Sequence, residues 1–144
     1  MDIRNYALSF PTTGKTDLID ITREVSLRIR ESGISEGSVL VFVPGSTAAL
    51  TTIEYEGGVI EDLREAIARL APDNLDYRHD ARWGDGNGYS HVRAALLGPS
   101  LTIPVIEGKL VLGTWQQVIL CDFDNRPRKR QVVVQVSGKV TGDQ

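Results

Sequence analysis

The chain contains two histidines, His79 and His91, both within the segment Tyr77-Arg78-His79-Asp80-Ala81-Arg82-Trp83-Gly84-Asp85-Gly86-Asn87-Gly88-Tyr89-Ser90-His91-Val92-Arg93. Neutral imidazole is the commonest side-chain metal ligand, and it also titrates close to neutral pH. With Asp80 and Asp85 beside them, the histidines could form a metal site or an acid–base pair; their spacing does not choose between the two. Gly84, Gly86 and Gly88 let the backbone turn sharply and approach a ligand closely. Asn87, Ser90 and Arg93 are of the types that donate hydrogen bonds to phosphate oxygens. The plainer alternative is that Asp85-Gly86-Asn87-Gly88 is only a connecting turn and the histidines are structural.

Other candidates lie outside this segment. Pro44-Gly45-Ser46-Thr47 follows an apolar run and offers two hydroxyls, so it reads either as an anion-binding turn or as a plain one. Its glycine pattern is not that of a nucleophile elbow. Glu54 falls on an expected strand, facing solvent or a pocket. Gln116, in Gly113-Thr114-Trp115-Gln116, lines a pocket or faces solvent, while Trp115 suits core or interface packing. Arg126-Pro127-Arg128-Lys129-Arg130 places four cations between two expected strands. It is read as a solvated hairpin loop that blunts a sheet edge, because the aromatic residues or motif helix of a nucleic-acid module are absent. The spacings of an H-E-x-x-H helix, a P-loop, a dinucleotide fingerprint and an EF-hand are absent too.

The elements that must position these residues predict an α+β fold in one domain, residues 1–144. Ile3 to Phe10 alternates as a strand stopped by Pro11. Thr22 is placed to cap a helix from about Arg23 to Ser32, with Val25 and Ile29 on its buried face and Gly33 at its end. Ser38–Val43 reads as a buried strand, and Ser46–Tyr55 suits a strand or a helical turn. Val59, Ile60, Leu63, Ile67 and Leu70 recur at helical spacing before Pro72. After residue 98 the pattern is extended, with strands at Leu101–Val105, Leu110–Leu120 and Gln131–Val136. Val118-Ile119-Leu120 and Val132-Val133-Val134 are apolar on consecutive residues, so both sheet faces need covering, beyond what two helices supply; a partner subunit is expected. Cys121 is the sole cysteine, which excludes an internal disulfide and fits a reducing compartment. With 16 basic and 19 acidic side chains, a polyanion binder held by bulk charge is disfavoured. No secretory signal or membrane-length apolar run is present, so a soluble, cytoplasmic protein is expected.

These pieces together resemble the YjbQ-like family, the secondary thiamine-phosphate synthase-like proteins. The resemblance is carried by Ser46-Thr47-Ala48-Ala49-Leu50 with Glu54, Asp73-Asn74 followed by Tyr77, His79-Asp80, Asp85-Gly86-Asn87, Ser90-His91-Val92-Arg93, Leu97-Gly98-Pro99-Ser100 and Gly113-Thr114-Trp115-Gln116, in order over most of the chain. It implies an α+β fold built on a β-sandwich-like mixed or antiparallel sheet with about two main helices, a homotrimer, and a polar pocket that in some members holds a divalent metal, here zinc or magnesium. It also implies weak thiamine-phosphate synthase activity, joining hydroxymethylpyrimidine pyrophosphate to thiazole phosphate. The alternative is a non-catalytic trimeric protein that binds a small phosphorylated metabolite or a metal. The resemblance assigns catalytic roles to His79, His91, Asp85 and Arg93, substrate binding to Ser46, Thr47, Asn87, Ser90 and Gln116, and metal ligation to His79, His91 and Glu54. The chain departs from many members at Gly45, where they carry a histidine, and at Tyr89, where some do.

Overall fold

The computed structural model describes residues 1–141. Strand β1 (Asp2–Pro11) is followed by β2 (Asp17–Asp20), helix α1 (Thr22–Ser32), β3 (Ile34–Phe42), β4 (Ala48–Ile53) and α2 (Gly57–Leu70). Two further helices, α3 (Arg78–Trp83) and α4 (Gly88–Leu97), precede β5 (Ser100–Ile106), β6 (Lys109–Leu110), β7 (Gln117–Asp122) and β8 (Lys129–Val140). All pairings are antiparallel. They form a five-stranded sheet in the order β1-β8-β3-β5-β6 and a three-stranded sheet in the order β2-β7-β4. The α+β class holds, with four helices in place of two main ones.

The runs of consecutive apolar residues divide between two cores. Val39, Val41, Val132, Val134 and Val136 of the large sheet meet Leu50, Val118 and Leu120 of the small sheet and Val25 and Ile29 of α1. The other face of the small sheet, with Ala49, Ile119, Cys121 and Phe123, is covered by Ile67 of α2 and Ala94 of α4. The small sheet is therefore buried on both faces within one chain, as Val118-Ile119-Leu120 required. The large sheet's second face carries a polar ladder, with Gln131 donating to Ser9 and Gln135 to Asn5.

Leu110–Leu120 is not one strand. β6 belongs to the large sheet and β7 to the small one, and Gly113–Gln116 forms the turn between them, closed by the Gln116 amide on the Gly113 carbonyl at 3.0 Å. Thr22 is not the cap of α1 either: Ile21 holds that position, and the Thr22 hydroxyl instead donates to Asp20 at 2.7 Å and accepts the Val118 amide. Gly33 closes α1 in the left-handed conformation, as expected. Leu70, expected on the apolar face of α2, ends that helix exposed, and Ile67 is its one buried residue. Among the described residues no helix is long and apolar enough to cross a membrane.

Candidate functional site

A cleft of about 570 Å³ opens where the N-terminal end of β4 meets α3, α4 and the start of β8. Gly45, Ser46 and Thr47, leading into β4, form its floor. α3 supplies His79 and Trp83, the α3–α4 connection supplies Asp85 and Asn87, and α4 supplies His91. The opposite wall is Arg128 and Arg130. The turn expected at Asp85-Gly86-Asn87-Gly88 lies between two helices, with Gly88 already the first residue of α4. That turn depends on glycine at 88, where a Cβ would come within 2.6 Å of Tyr77 Cβ. The Gly88 amide donates to Asp80 Oδ1 at 2.8 Å, fixing the start of α4 against α3.

This packing brings the two imidazoles together, with ring centroids 4.4 Å apart and planes tilted by 40°. His79 Nδ1 lies 3.4 Å from Asp85 Oδ1 and 3.5 Å from Asp80 Oδ1. These separations exceed good hydrogen bonds, and this buried nitrogen has no hydrogen-bond partner within the protein. The potential ligand atoms of His79, Asp80 and Asp85 all lie within 4.8 Å of one another. An unpartnered imidazole nitrogen beside two carboxylates, with a second imidazole adjoining, is a donor set that fits a divalent cation.

The arginine wall is built differently. Arg130 donates Nε and Nη2 to the two carboxylate oxygens of Asp122 at 2.8 and 2.9 Å, and Nη2 also to Thr47 Oγ1 at 2.6 Å. Arg128 Nε donates to Asp124 Oδ2 at 2.7 Å. Both aspartates are fully buried. Burial pushes the Asp122 carboxyl up, but hydrogen bonds from Arg130, Thr12 and the Asp124 amide, with the Arg130 charge, outweigh it and hold the group below the usual carboxylate range. Asp124 is lowered in the same way: burial is outweighed by bonds from the Asn125 amide, Asn87 and Arg128 and by the Arg128 charge. Asn87 Nδ2 donates to Asp124 Oδ1 at 3.3 Å, while its carbonyl oxygen, also buried, has no partner within the protein.

Of the residues expected from the sequence, the structure gathers His79, His91, Asp85, Ser46, Thr47 and Asn87 in the cleft. The others lie elsewhere. Arg93, only 7% exposed, donates Nε to the Ala71 carbonyl at 2.9 Å and Nη1 to Thr16 Oγ1 at 3.1 Å, beneath the Tyr89 ring. Two positions along a helix rotate a side chain by roughly 200°, so Arg93 and His91 face opposite ways. Ser90 is buried and donates to the Phe123 carbonyl. Glu54 follows the far end of β4, roughly 20 Å along the strand from Thr47. There it lines a separate cavity of about 440 Å³ with Asp20 and Trp115. Gln116 is at that end too, accepting the Gly113 amide and donating to Thr52. Glu54 and Gln116 therefore do not join the histidines within one chain.

The sequence reading missed Arg128 and Arg130 as pocket residues, along with their partners Asp122 and Asp124. The available signal was the alternation Asp122-Phe123-Asp124 followed by Arg128 and Arg130: buried carboxylates at the end of an apolar strand demand cations, and the nearest in sequence are these two.

Fold and site define an α+β protein whose two antiparallel sheets and helices α3 and α4 frame a polar cleft of paired histidines, carboxylates and arginines. The chain belongs to the UPF0047 protein YjbQ-like family, whose family model matches residues 6–139. It is similar to a UPF0047 protein of Archaeoglobus fulgidus, 42% identical over 127 residues covering 88% of this chain and 96% of the relative. It is similar also to the UPF0047 protein YugU of Bacillus subtilis, 33% identical, covering 91% of this chain and 97% of that protein. Among solved structures, a YbjQ-like protein of Sulfolobus solfataricus superposes with a TM-score of 0.86 at 33% identity, covering 96% of this chain and all (100%) of that one. A YjbQ/UPF0047 family protein of Clostridium acetobutylicum gives 0.84 at 35% identity, covering 92% and 99%.

Proposed function

We propose that the cleft binds a small phosphorylated metabolite together with a divalent cation, zinc or magnesium, and supports group transfer of the thiamine-phosphate synthase kind. The observation that carries this reading is the convergence of His79, His91, Asp80 and Asp85 around an imidazole nitrogen with no partner of its own. In that reaction the bond between the pyrimidine methylene carbon and the diphosphate oxygen breaks, pyrophosphate leaves with the electron pair, and the thiazole nitrogen bonds to the methylene carbon. A bound cation supplies neutralisation of charge on the departing oxygens. His79, Asp80 and Asp85 would hold it, with His91 beside them. Trp83 ends α3 with an exposed ring on the cleft, a flat apolar surface suited to a heterocycle. The exposed Ser46 hydroxyl is a donor at the floor.

A specific observation favours the second reading, capture of a phosphorylated metabolite without turnover. Arg93, the residue expected to stabilise the leaving diphosphate, is committed to Ala71 and Thr16 on the other side of α4. Both readings take the protein to be cytoplasmic, which suits the buried Cys121 thiol. Both also take it to be a homotrimer, in which exposed apolar groups such as Trp115, at 72% exposure, would meet a neighbouring subunit.

Elemental metal analysis and a product assay with hydroxymethylpyrimidine pyrophosphate, thiazole phosphate and Mg²⁺ or Zn²⁺ test the proposal on the native protein beside His79→Ala and His91→Ala. The expected result is folded variants that have lost both metal and product. Full metal content and full activity in both variants would overturn it, and ligand binding by the native protein with no product would decide for the second reading.

A further inference from the structure

The arginine wall has donors to spare. Arg130 uses Nε and Nη2 on Asp122 and Thr47, and Arg128 uses Nε on Asp124. Among the described residues, Arg130 Nη1 and both Nη atoms of Arg128 make no hydrogen bond, although both side chains line the cleft. The buried carboxylates fix the guanidinium planes from behind, so the donors are preorganised before any ligand arrives.

Gly45 decides whether they can be reached. Its φ of +151° lies in the range that favours glycine, and a Cβ at this position would stand 3.2 Å from Arg130 Nη1. The missing side chain leaves that nitrogen open from the cleft floor, next to the Ser46 hydroxyl.

We propose that Arg128 and Arg130, with Gly45 as the gap that exposes them, form a phosphoryl-binding subsite, so that the ligand of this cleft is a phosphate monoester or diphosphate held by its terminal phosphoryl group against the two guanidinium groups. This deepens the reading above and rests on its premise that the cleft takes a phosphorylated metabolite; it does not depend on turnover. Arg128 and Arg130 thereby take the anion-holding role that Arg93 cannot fill. Because Asp122 and Asp124 cancel the arginine charges, recognition comes from directed donors in place of bulk attraction, and affinity is expected to depend only weakly on salt.

The test is calorimetric titration of the full chain with inorganic pyrophosphate in the presence of EDTA, which removes any contribution from a metal. Wild type, Arg128→Gln, Gly45→Ala and, as a control outside the cleft, Glu61→Gln on the exposed face of α2 are compared, with circular dichroism to confirm folding. Arg128→Gln and Gly45→Ala are expected to weaken binding by about tenfold or more, and Glu61→Gln by less than about twofold. If Gly45→Ala fails to fold, Arg128→Gln decides alone, since its side chain is partly exposed. No pyrophosphate binding by wild type, or unchanged affinity in Arg128→Gln, would overturn the subsite. Pyrophosphate binding lost in Arg128→Gln alongside a failed product assay would leave the subsite standing and remove only the synthase reading.

Discussion

Arg130, on one wall of the cleft, makes three hydrogen bonds to buried Asp122 and Thr47, whereas His79 Nδ1, on the other, faces two carboxylates at 3.4 and 3.5 Å and bonds to neither. The first wall grows out of the ends of β7 and β8, next to a sheet buried on both faces. The second stands on α3, a helix of six residues with none fully buried. A chain places charge in its interior only where partners satisfy it, so the arginine wall is part of what holds the fold. On the histidine wall Asp80 ties α4 to α3, but His79 Nδ1 has no partner within the protein, and that leaves it available to a ligand.

The largest effect that checks this contrast is on stability. Asp122→Ala removes the bidentate partner of a buried guanidinium and is expected to cost about 3–5 kcal/mol, measured by urea unfolding. A loss below about 1 kcal/mol would show that Arg130 finds water or another partner, and the walls would not differ as described.

The fold was legible where pattern and environment agree. Val25 and Ile29 on α1, the stop at Gly33 and the existence of strand β3 follow from periodicity and turn chemistry, although β3 is buried only on alternate residues, with Val39 and Val41 inside and Phe42 exposed. β2 escaped because four residues, Asp17–Asp20, are too short to show a period. α4 escaped because Gly86, Asn87 and Gly88 read as a turn. Yet Ser90, Ala94 and Leu97 recur at helical spacing beneath them, and that row packs on Phe123 and the small sheet. Once α4 is a helix, the separation of Arg93 from His91 follows. The meeting of His79 and His91 was legible as a possibility of composition, but their convergence needed the α3–α4 turn. Arg128 and Arg130 were hidden by a sound expectation, that a run of cations between strands is solvated, because local sequence does not reveal which cations have buried carboxylates waiting.

Next in size is the response to acid. Asp122 and Asp124 are held below their ordinary values in the folded state. Their contribution to stability is therefore complete above the unfolded carboxylate value, about 3.9, and is lost as pH falls through the folded values below it. Thermal melts should show a falling midpoint as pH drops below about 4, and an Asp124→Asn variant should show a shallower fall. Equal acid sensitivity in that variant would place the linkage elsewhere.

Smaller still is the stability change from His79→Ala, expected to stay under about 1 kcal/mol by the same urea measurement with EDTA present in both samples, so that any stability from a bound metal is absent from the comparison. A large destabilisation would make the histidine wall structural after all. The smallest effect is expected from Glu54→Gln, which lies at the far end of β4 and should leave metal content unchanged. Metal loss in that variant would mean that a neighbouring subunit brings its own Glu54 to the cleft.

Both walls are expected to act on one ligand. Phosphorus NMR of inorganic phosphate, which binds Mn²⁺ only weakly by itself, with the protein and substoichiometric Mn²⁺ reads this directly, since a paramagnetic ion held by His79, Asp80 and Asp85 would broaden the signal of a phosphoryl group bound at Arg128 and Arg130. The predicted result is strong broadening with wild type that falls to the level of protein-free Mn²⁺ and phosphate in both His79→Ala and Arg128→Gln. Broadening that persists undiminished in either variant would contradict a cleft shared by the two walls.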